Sequence, residues 1–151
     1  MRSSRPWTEG DDGSASLEFL VAGLLMLVPL VYLVLAVSSV QAAALGVEGA
    51  TRQASRVFVQ APSPAEASAA AARAIEVTLA DYGLDAGDAV VQITCRPRPS
   101  ACLTRRGFVT VSIRMTAALP LAPPVLDLRL PGGIPVAATA TEQVSRFWAS
   151  R

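Results

Sequence analysis

The feature that most constrains this chain is an uncharged, apolar stretch near its N-terminus. No charged residue occurs between Glu18 and Glu48, and residues 19–37 are apolar apart from one glycine and Pro29. A bilayer core needs about 20 residues of helix, whereas signal peptides have shorter apolar cores of about 7–15 residues. The stretch therefore predicts a transmembrane helix, kinked at its proline. The small residues at 38–44 leave open a second interpretation, a signal peptide cleaved after the apolar core.

One carboxylate lies at the entrance to this stretch. Glu18 is the fifth residue after Gly13 and directly precedes Phe19. A charged side chain costs about 2.5–3.5 kcal/mol at the centre of a bilayer on insertion scales, and less near the edge. An acid at this place is therefore a functional hypothesis. The plainer alternative is a signal anchor in which Glu18 is a solvated charge at the membrane boundary.

The segment Gly-Ser-Ala-Ser-Leu-Glu-Phe at residues 13–19, followed by an apolar helix, resembles the N-terminus of type IV pilin-like proteins. More narrowly, it resembles the TadE-like minor pseudopilins of tight-adherence (Flp) pili and related secretion loci. The resemblance is specific over residues 13–56 and generic beyond them. The acids Glu9, Asp11 and Asp12 depart from the family pattern, in which a basic residue often precedes the cut.

The resemblance implies how the N-terminus would be used. Residues 1–13 would be a hydrophilic leader, and a prepilin peptidase would cut between Gly13 and Ser14. Glu18, with Phe19 beside it, would then set subunit register by meeting the new amino group of a neighbouring subunit. Pairing the two charges would remove the cost of placing each one in lipid.

The resemblance also implies a structural role without catalysis. The expected partners are the lipid bilayer, a prepilin peptidase, other pilins or pseudopilins and inner-membrane assembly proteins. The expected location is the cytoplasmic membrane, crossed once, with the N-terminus inside, the C-terminal domain outside and incorporation into a surface pilus as a further step. The alternative is an unprocessed, signal-anchored binding module, or an accessory subunit of a membrane secretion complex.

Composition argues against several other classes. The chain has 151 residues, no histidine and a net charge of +1. A net charge this small predicts no nucleic-acid partner. Without histidine, the commonest general base and the commonest transition-metal ligand are missing. We therefore expect no catalytic residues, no metal site and no cofactor. The acids Asp81, Asp85 and Asp88 are close in sequence, but they favour a solvated turn over a cation site because they lack the spacing of a calcium loop.

The orientation of the chain depends on weak signals. Two arginines precede the apolar stretch and two follow it closely, so counting of positive charges gives a tie. Cys95 and Cys102 are the only cysteines of the chain. A disulfide between them would suit an extracytoplasmic domain, and two free thiols are the alternative.

The first helix is expected to continue beyond the membrane, over residues 14–61. Glu48 and Arg52 form a favourable pair four residues apart, and two X-Pro steps at Pro62 and Pro64 end the pattern. A stripe of small residues at four-residue spacing predicts close helix–helix packing in an assembly; the alternative is that the region is merely rich in alanine. The stripe is Ser38, Ala42, Gly46, Ala50 and Ala54.

Residues 62–151 are expected to form a small extracytoplasmic domain. Ser63 and Glu66 form a capping box, which predicts a helix over residues 64–82, rich in alanines suited to packing on the first helix. Alternating apolar residues then predict about four antiparallel strands, within residues 88–96, 108–116, 125–130 and 134–141. The predicted fold is therefore α+β: a long N-terminal transmembrane helix that continues into a domain of one helix and a sheet.

The sequence leaves two interpretations open for each of two further surfaces. A basic loop between the first two strands, residues 96–107, is either a solvated hairpin tip or a site for an acidic partner or an anionic surface. Phe147 and Trp148 near the C-terminus either pack on the sheet or mark a binding tip.

Overall fold

The computed structural model describes residues 14–120 and 133–148, and these form an α+β fold. Helix α1 spans Ser14–Gln60 and helix α2 spans Pro64–Asp81. A short 3-10 helix, Ala86–Asp88, leads into three strands: β1, Val90–Arg96; β2, Phe108–Ala118; and β3, Gly133–Gln143. The predicted α+β class is confirmed.

Helix α1 has two parts with different surroundings. It is 47 residues long, which at 1.5 Å per residue is about 70 Å. Every residue from 15 to 31 is exposed, and the first buried residue is Ala43. We call residues 14–40 the apolar half and residues 43–60 the packed half. The helix continues through Pro29 without interruption.

Helix α2 returns along the packed half of α1. The Ser63 side chain accepts a hydrogen bond from the backbone N–H of Glu66 at 3.3 Å, and Pro64 occupies the first turn, so the helix begins with a satisfied cap. Gly83, at φ 69°, lies in the left-handed region that favours glycine and ends the helix. The side chains that α2 buries repeat at four-residue spacing: Ala67, Ala71, Ile75 and Leu79.

The three strands form one antiparallel sheet in the order β1-β2-β3. Alternate residues of β2 are buried against α1, while the other face carries hydroxyl pairs such as Thr110–Thr141 at 2.8 Å. This alternation is typical of an antiparallel sheet with one face on the core. The core lies where the packed half of α1 meets α2 and the inner face of the sheet.

Within residues 14–120 and 133–148 the sheet has three strands, where the sequence predicted about four over the whole domain. Residues 125–130, predicted as a strand, lie outside the described residues. Ala118 pairs directly with Gly133. Strands β2 and β3 are therefore neighbours, and the segment that joins them does not separate them in the sheet.

Candidate functional site

The apolar half of α1 exposes large apolar side chains on all sides. The most apolar 18 consecutive residues of α1 are all unburied. Within the described residues, α1 is the one helix long and apolar enough to cross a membrane. Leaving a large apolar side chain in water forgoes about 1.5–3 kcal/mol relative to burial. Leu17, Met26 and Val34 are 65, 78 and 60 % exposed. By length and composition, this surface is that of a candidate membrane span near the N-terminus.

Glu18 lies at the N-terminal end of this apolar surface. It is exposed in the described part of α1, and Phe19 beside it is 77 % exposed. Among the described residues, Glu18 has no hydrogen-bond or ion-pair partner. Gly13 lies outside the described residues, as does the side chain of Ser14. The carboxylate is therefore available to a group from outside this part of the chain.

The small-residue stripe divides between the two halves of the helix. Ser38 is exposed and Ala42 is half-buried, whereas Gly46, Ala50 and Ala54 are buried within the chain itself. A Cβ atom placed on Gly46 would lie 3.0 Å from side-chain atoms of both Tyr82 and Leu84. The upper part of the stripe is therefore buried within the chain, with Gly46 against the segment that follows α2, while Ser38 at its lower end is exposed.

The packed half of α1 contains polar side chains that have hydrogen-bond or ion-pair partners. Thr51 and Ser55 are fully buried, and their hydroxyl groups donate to the carbonyl oxygens of Val47 and Arg52. Glu48 and Arg52 form the expected ion pair on the surface. Neither set leaves a buried polar side chain unpaired among the described residues.

The predicted disulfide Cys95–Cys102 is confirmed. It joins Cys95, the second-last residue of β1, to Cys102 in the loop before β2, and the two Cα atoms are 5.0 Å apart. The loop that it closes carries Arg96 and Arg98, and Arg105 and Arg106 follow directly. Arg146, just after β3, lies at the same end of the sheet because Val144 pairs with Gly107 through a backbone hydrogen bond of 2.8 Å. We call these five residues the arginine tip.

The arginine tip lies at the end of the domain farthest from the apolar half. The indole Nε1 of Trp148 donates to the carbonyl oxygen of Ala61 at 2.9 Å, immediately after the end of α1. Arg105 Nε donates in turn to the carbonyl oxygen of Trp148 at 3.0 Å. The chain thus connects the basic loop to the outer end of α1 through two consecutive hydrogen bonds.

A groove in the described part of the chain lies between α2 and β1. It has a volume of about 870 Å³ and is lined mainly by alanine, isoleucine, valine and leucine, with Glu76 and Asp85 at its rim. Asp85 accepts a hydrogen bond from Gly87 N at 2.8 Å, which is the cap of the short helix. Over residues 14–120 and 133–148, no group of three acidic or cysteine side chains could hold a metal ion.

Comparison of the chain with family models, with curated proteins and with solved structures gave no match.

Sequence reasoning missed the contacts that connect the C-terminal segment to the rest. Trp148 and Ala61 are separated by 87 residues, and Arg105 and Trp148 by 43. No local pattern gives such a pairing. The signals that were present are the indole N–H, which usually finds an acceptor when partly buried, and the strand before it, which returns the chain to the basic loop.

Proposed function

We propose that the protein is a structural, non-enzymatic, minor pseudopilin-like membrane protein of a tight-adherence pilus or a related type II/IV secretion apparatus. In this proposal it is the substrate of a prepilin peptidase, which cuts between Gly13 and Ser14. The apolar half of α1 first anchors the chain in the cytoplasmic membrane and then packs among the equivalent helices of other subunits.

The observation that carries the proposal is the division of α1. One unbroken helix exposes apolar side chains along its first half and forms the core of a small domain with its second half. A soluble protein has no use for the exposed half, and a simple anchor has no need to continue into the core. A subunit that must leave lipid and stack against other helices uses both parts.

Two further features support this role. Glu18, the fifth residue of the mature chain that cleavage after Gly13 would produce, is exposed at the N-terminal end of the apolar half. The Cys95–Cys102 disulfide favours an oxidising compartment for the domain. A membrane-spanning α1 would then place the leader inside and the disulfide outside.

The decisive experiment is to determine the N-terminal residue of the mature protein in its own host, by mass spectrometry of membrane and surface fractions. A chain that begins at Ser14 would support the proposal. A chain that begins at Met1 would leave the unprocessed anchor. A chain that begins after Ala43 or Ala44 would mean an exported domain without an anchor, and would contradict the proposal.

The second candidate is a signal-anchored extracytoplasmic binding module or an accessory subunit of a membrane secretion complex. The arginine tip favours it, because an exposed basic surface at the outer end of a tethered domain suits the capture of a partner. This candidate requires neither cleavage at Gly13 nor the charge of Glu18, so the variants of those residues described below separate the two functions.

A further inference from the structure

The arginine tip concentrates positive charge that the described chain does not neutralise. Its five members are exposed, and none of them forms an ion pair with a described residue: Arg96, Arg98, Arg105, Arg106 and Arg146. Within residues 95–109 and 142–148 there is a single acid, Glu142. This end of the domain therefore has a positive potential, which attracts negatively charged groups.

The tip is also held in place rather than free to spread. The disulfide closes the loop at its base, and Arg106 N donates to the carbonyl oxygen of Val144 at 3.1 Å. The guanidinium of Arg105 is fixed by its Nε–H bond to Trp148, while its two terminal amino groups have no partner among the described residues. A guanidinium that is already oriented loses less side-chain entropy when it binds a carboxylate.

A hollow with both apolar and polar groups in its lining lies directly beside these arginines. It measures about 700 Å³ and is lined by Val59, Ala61, Pro62, Phe147 and Trp148 together with two polar residues. The Arg146 guanidinium lies 4.6 Å from the centre of the Phe147 ring, so the basic group and the aromatic rim of the hollow are in contact. Arginine and aromatic residues around a pocket are the usual composition of interaction hot spots.

We propose that the arginine tip and this hollow together bind an acidic polypeptide segment of another protein. Carboxylates of that segment pair with Arg105 and Arg146, and an apolar side chain between them enters the hollow. Each guanidinium can hold a carboxylate through two parallel hydrogen bonds. The site is independent of processing at Gly13, and therefore exists in either of the functions considered above.

The geometry favours a polypeptide over a phosphate polymer. A polyanion binds through the number of charges neutralised along its length, and it has no apolar group to place against the Phe147 and Trp148 rings of the hollow. The tip is compact and lies at one end of the domain. A polypeptide can supply carboxylates and an apolar side chain within a few residues of each other.

The test uses the full-length protein in detergent micelles and a fluorescent glutamate-rich peptide with one central phenylalanine. Binding is measured by fluorescence anisotropy at low and high salt. Two peptides serve as references, one with glycine in place of the phenylalanine and one with lysine in place of each glutamate. We expect the phenylalanine peptide to bind several-fold more tightly than the glycine peptide, and the lysine peptide not to bind.

The protein variants locate the site. Arg105→Glu and Arg146→Glu are each expected to weaken binding by about tenfold, because each reverses a charge at the rim of the hollow. Arg98→Glu, which leaves the Trp148 hydrogen bonds in place, is expected to weaken it less and keeps the test valid if the other variants fold poorly. Arg114→Glu, an equal charge change at an exposed position of β2 away from the tip, is the control and should bind normally.

Three results would overturn the proposal. Equal binding of the phenylalanine and glycine peptides, with inorganic polyphosphate competing fully, would make the tip a general polyanion site. Loss of binding in Arg114→Glu to the same extent as in Arg105→Glu would mean that only net charge matters. Salt-sensitive self-association in sedimentation would make a second copy the occupant, since Asp81, Asp85 and Asp88 lie at the opposite end of the domain.

Discussion

Trp148 and Ala61 close the domain at its outer end. The indole N–H of Trp148 donates to the carbonyl oxygen of Ala61 at 2.9 Å, and this oxygen belongs to the first residue after α1. A carbonyl group that follows the last turn of a helix has no partner within that helix. The hydrogen bond therefore satisfies the end of α1 and at the same time fixes the C-terminal segment beside the basic loop.

We expect Trp148→Phe to lower the free energy of unfolding by about 1 kcal/mol, because the substitution removes the donor and keeps most of the ring. Thermal unfolding of the full chain in detergent measures the effect. The control is Phe147→Leu at the neighbouring position, which is 61 % exposed and should change stability less. Equal losses in the two variants would mean that the indole N–H contributes nothing.

Gly46→Leu should destabilise the packing of α1 against the segment that follows α2. Its side chain would have to displace Tyr82 and Leu84, whose atoms lie 3.0 Å from the position of the added Cβ. Overpacking of this kind costs about 1–3 kcal/mol. Gly23→Leu is the matched control, since nothing lies within 4 Å of a Cβ at that position. Denaturant unfolding of both variants should separate them, and similar midpoints would contradict the close approach.

This packing changes how assembly through the stripe should be tested. A Gly46 variant could assemble poorly because its own domain is damaged. Ser38→Leu enlarges the same stripe where it is exposed, so it should weaken co-assembly with other subunits while leaving the midpoint of unfolding unchanged. Normal capture of partner subunits by the Ser38 variant would argue against a role of the lower stripe in assembly.

Removal of the disulfide should lower the free energy of unfolding by about 2 kcal/mol, the entropic contribution expected for a short closed loop. The variant Cys95→Ala with Cys102→Ala tests this by denaturant unfolding with and without a reducing agent. The wild-type protein should lose stability on reduction, and the variant should not respond. A wild-type protein insensitive to reductant would mean that the bond contributes nothing measurable.

Gly13→Leu should block removal of the leader if the N-terminus is processed as proposed, because the residue before the cut must be small. The leader offers a matched control in Gly10→Leu, which makes the same change outside the site. An immunoblot of membrane fractions reports the size of the chain. Identical mobility of the Gly13 variant and the wild-type protein would favour the unprocessed anchor.

Glu18→Gln should leave membrane insertion intact and reduce assembly by about tenfold or more, since pairing of the carboxylate with an amino group in lipid is worth at least the equivalent of 1.4 kcal/mol. The amide keeps the shape of the side chain and removes its charge. The control is Glu76→Gln, which changes an exposed acid of α2. Undiminished co-purification with other subunits would contradict charge pairing at Glu18.

Local patterns were sufficient to predict the class of fold and one covalent bond. The period of the apolar residues changes from helical to alternating after Gly87, which gave the α+β class, and an even pair of cysteines flanking a short loop gave the disulfide. Both predictions depend on residues close together in the sequence. The strand predicted from the alternating leucines at 126–130 lies outside the described residues; such a run does not report whether its neighbours pair with each other, as Ala118 and Gly133 do.

The candidate site was harder to predict for the same reason. The sequence identified Gly46, Ala50 and Ala54 as a surface for another helix, and the structure buries all three within the chain, with Tyr82 and Leu84 against Gly46. A stripe of small residues does not specify which helix approaches. Similarly, the sequence showed the arginines at 96–106 as one basic loop. Arg146 and the hollow lie beside this loop only because β3 returns the chain to the same end of the sheet.

The continuity of α1 has a mechanical consequence. Since the helix that carries the apolar surface also forms the centre of the core, tension applied to its N-terminal end would pass along a single hydrogen-bonded rod into the domain, with no flexible linker to absorb it. Pro29 lacks a backbone N–H, so the helix lacks one backbone hydrogen bond at this position. Pro29 lies outside the folded core. Under load, the helix would stretch there first, and the domain would keep its shape.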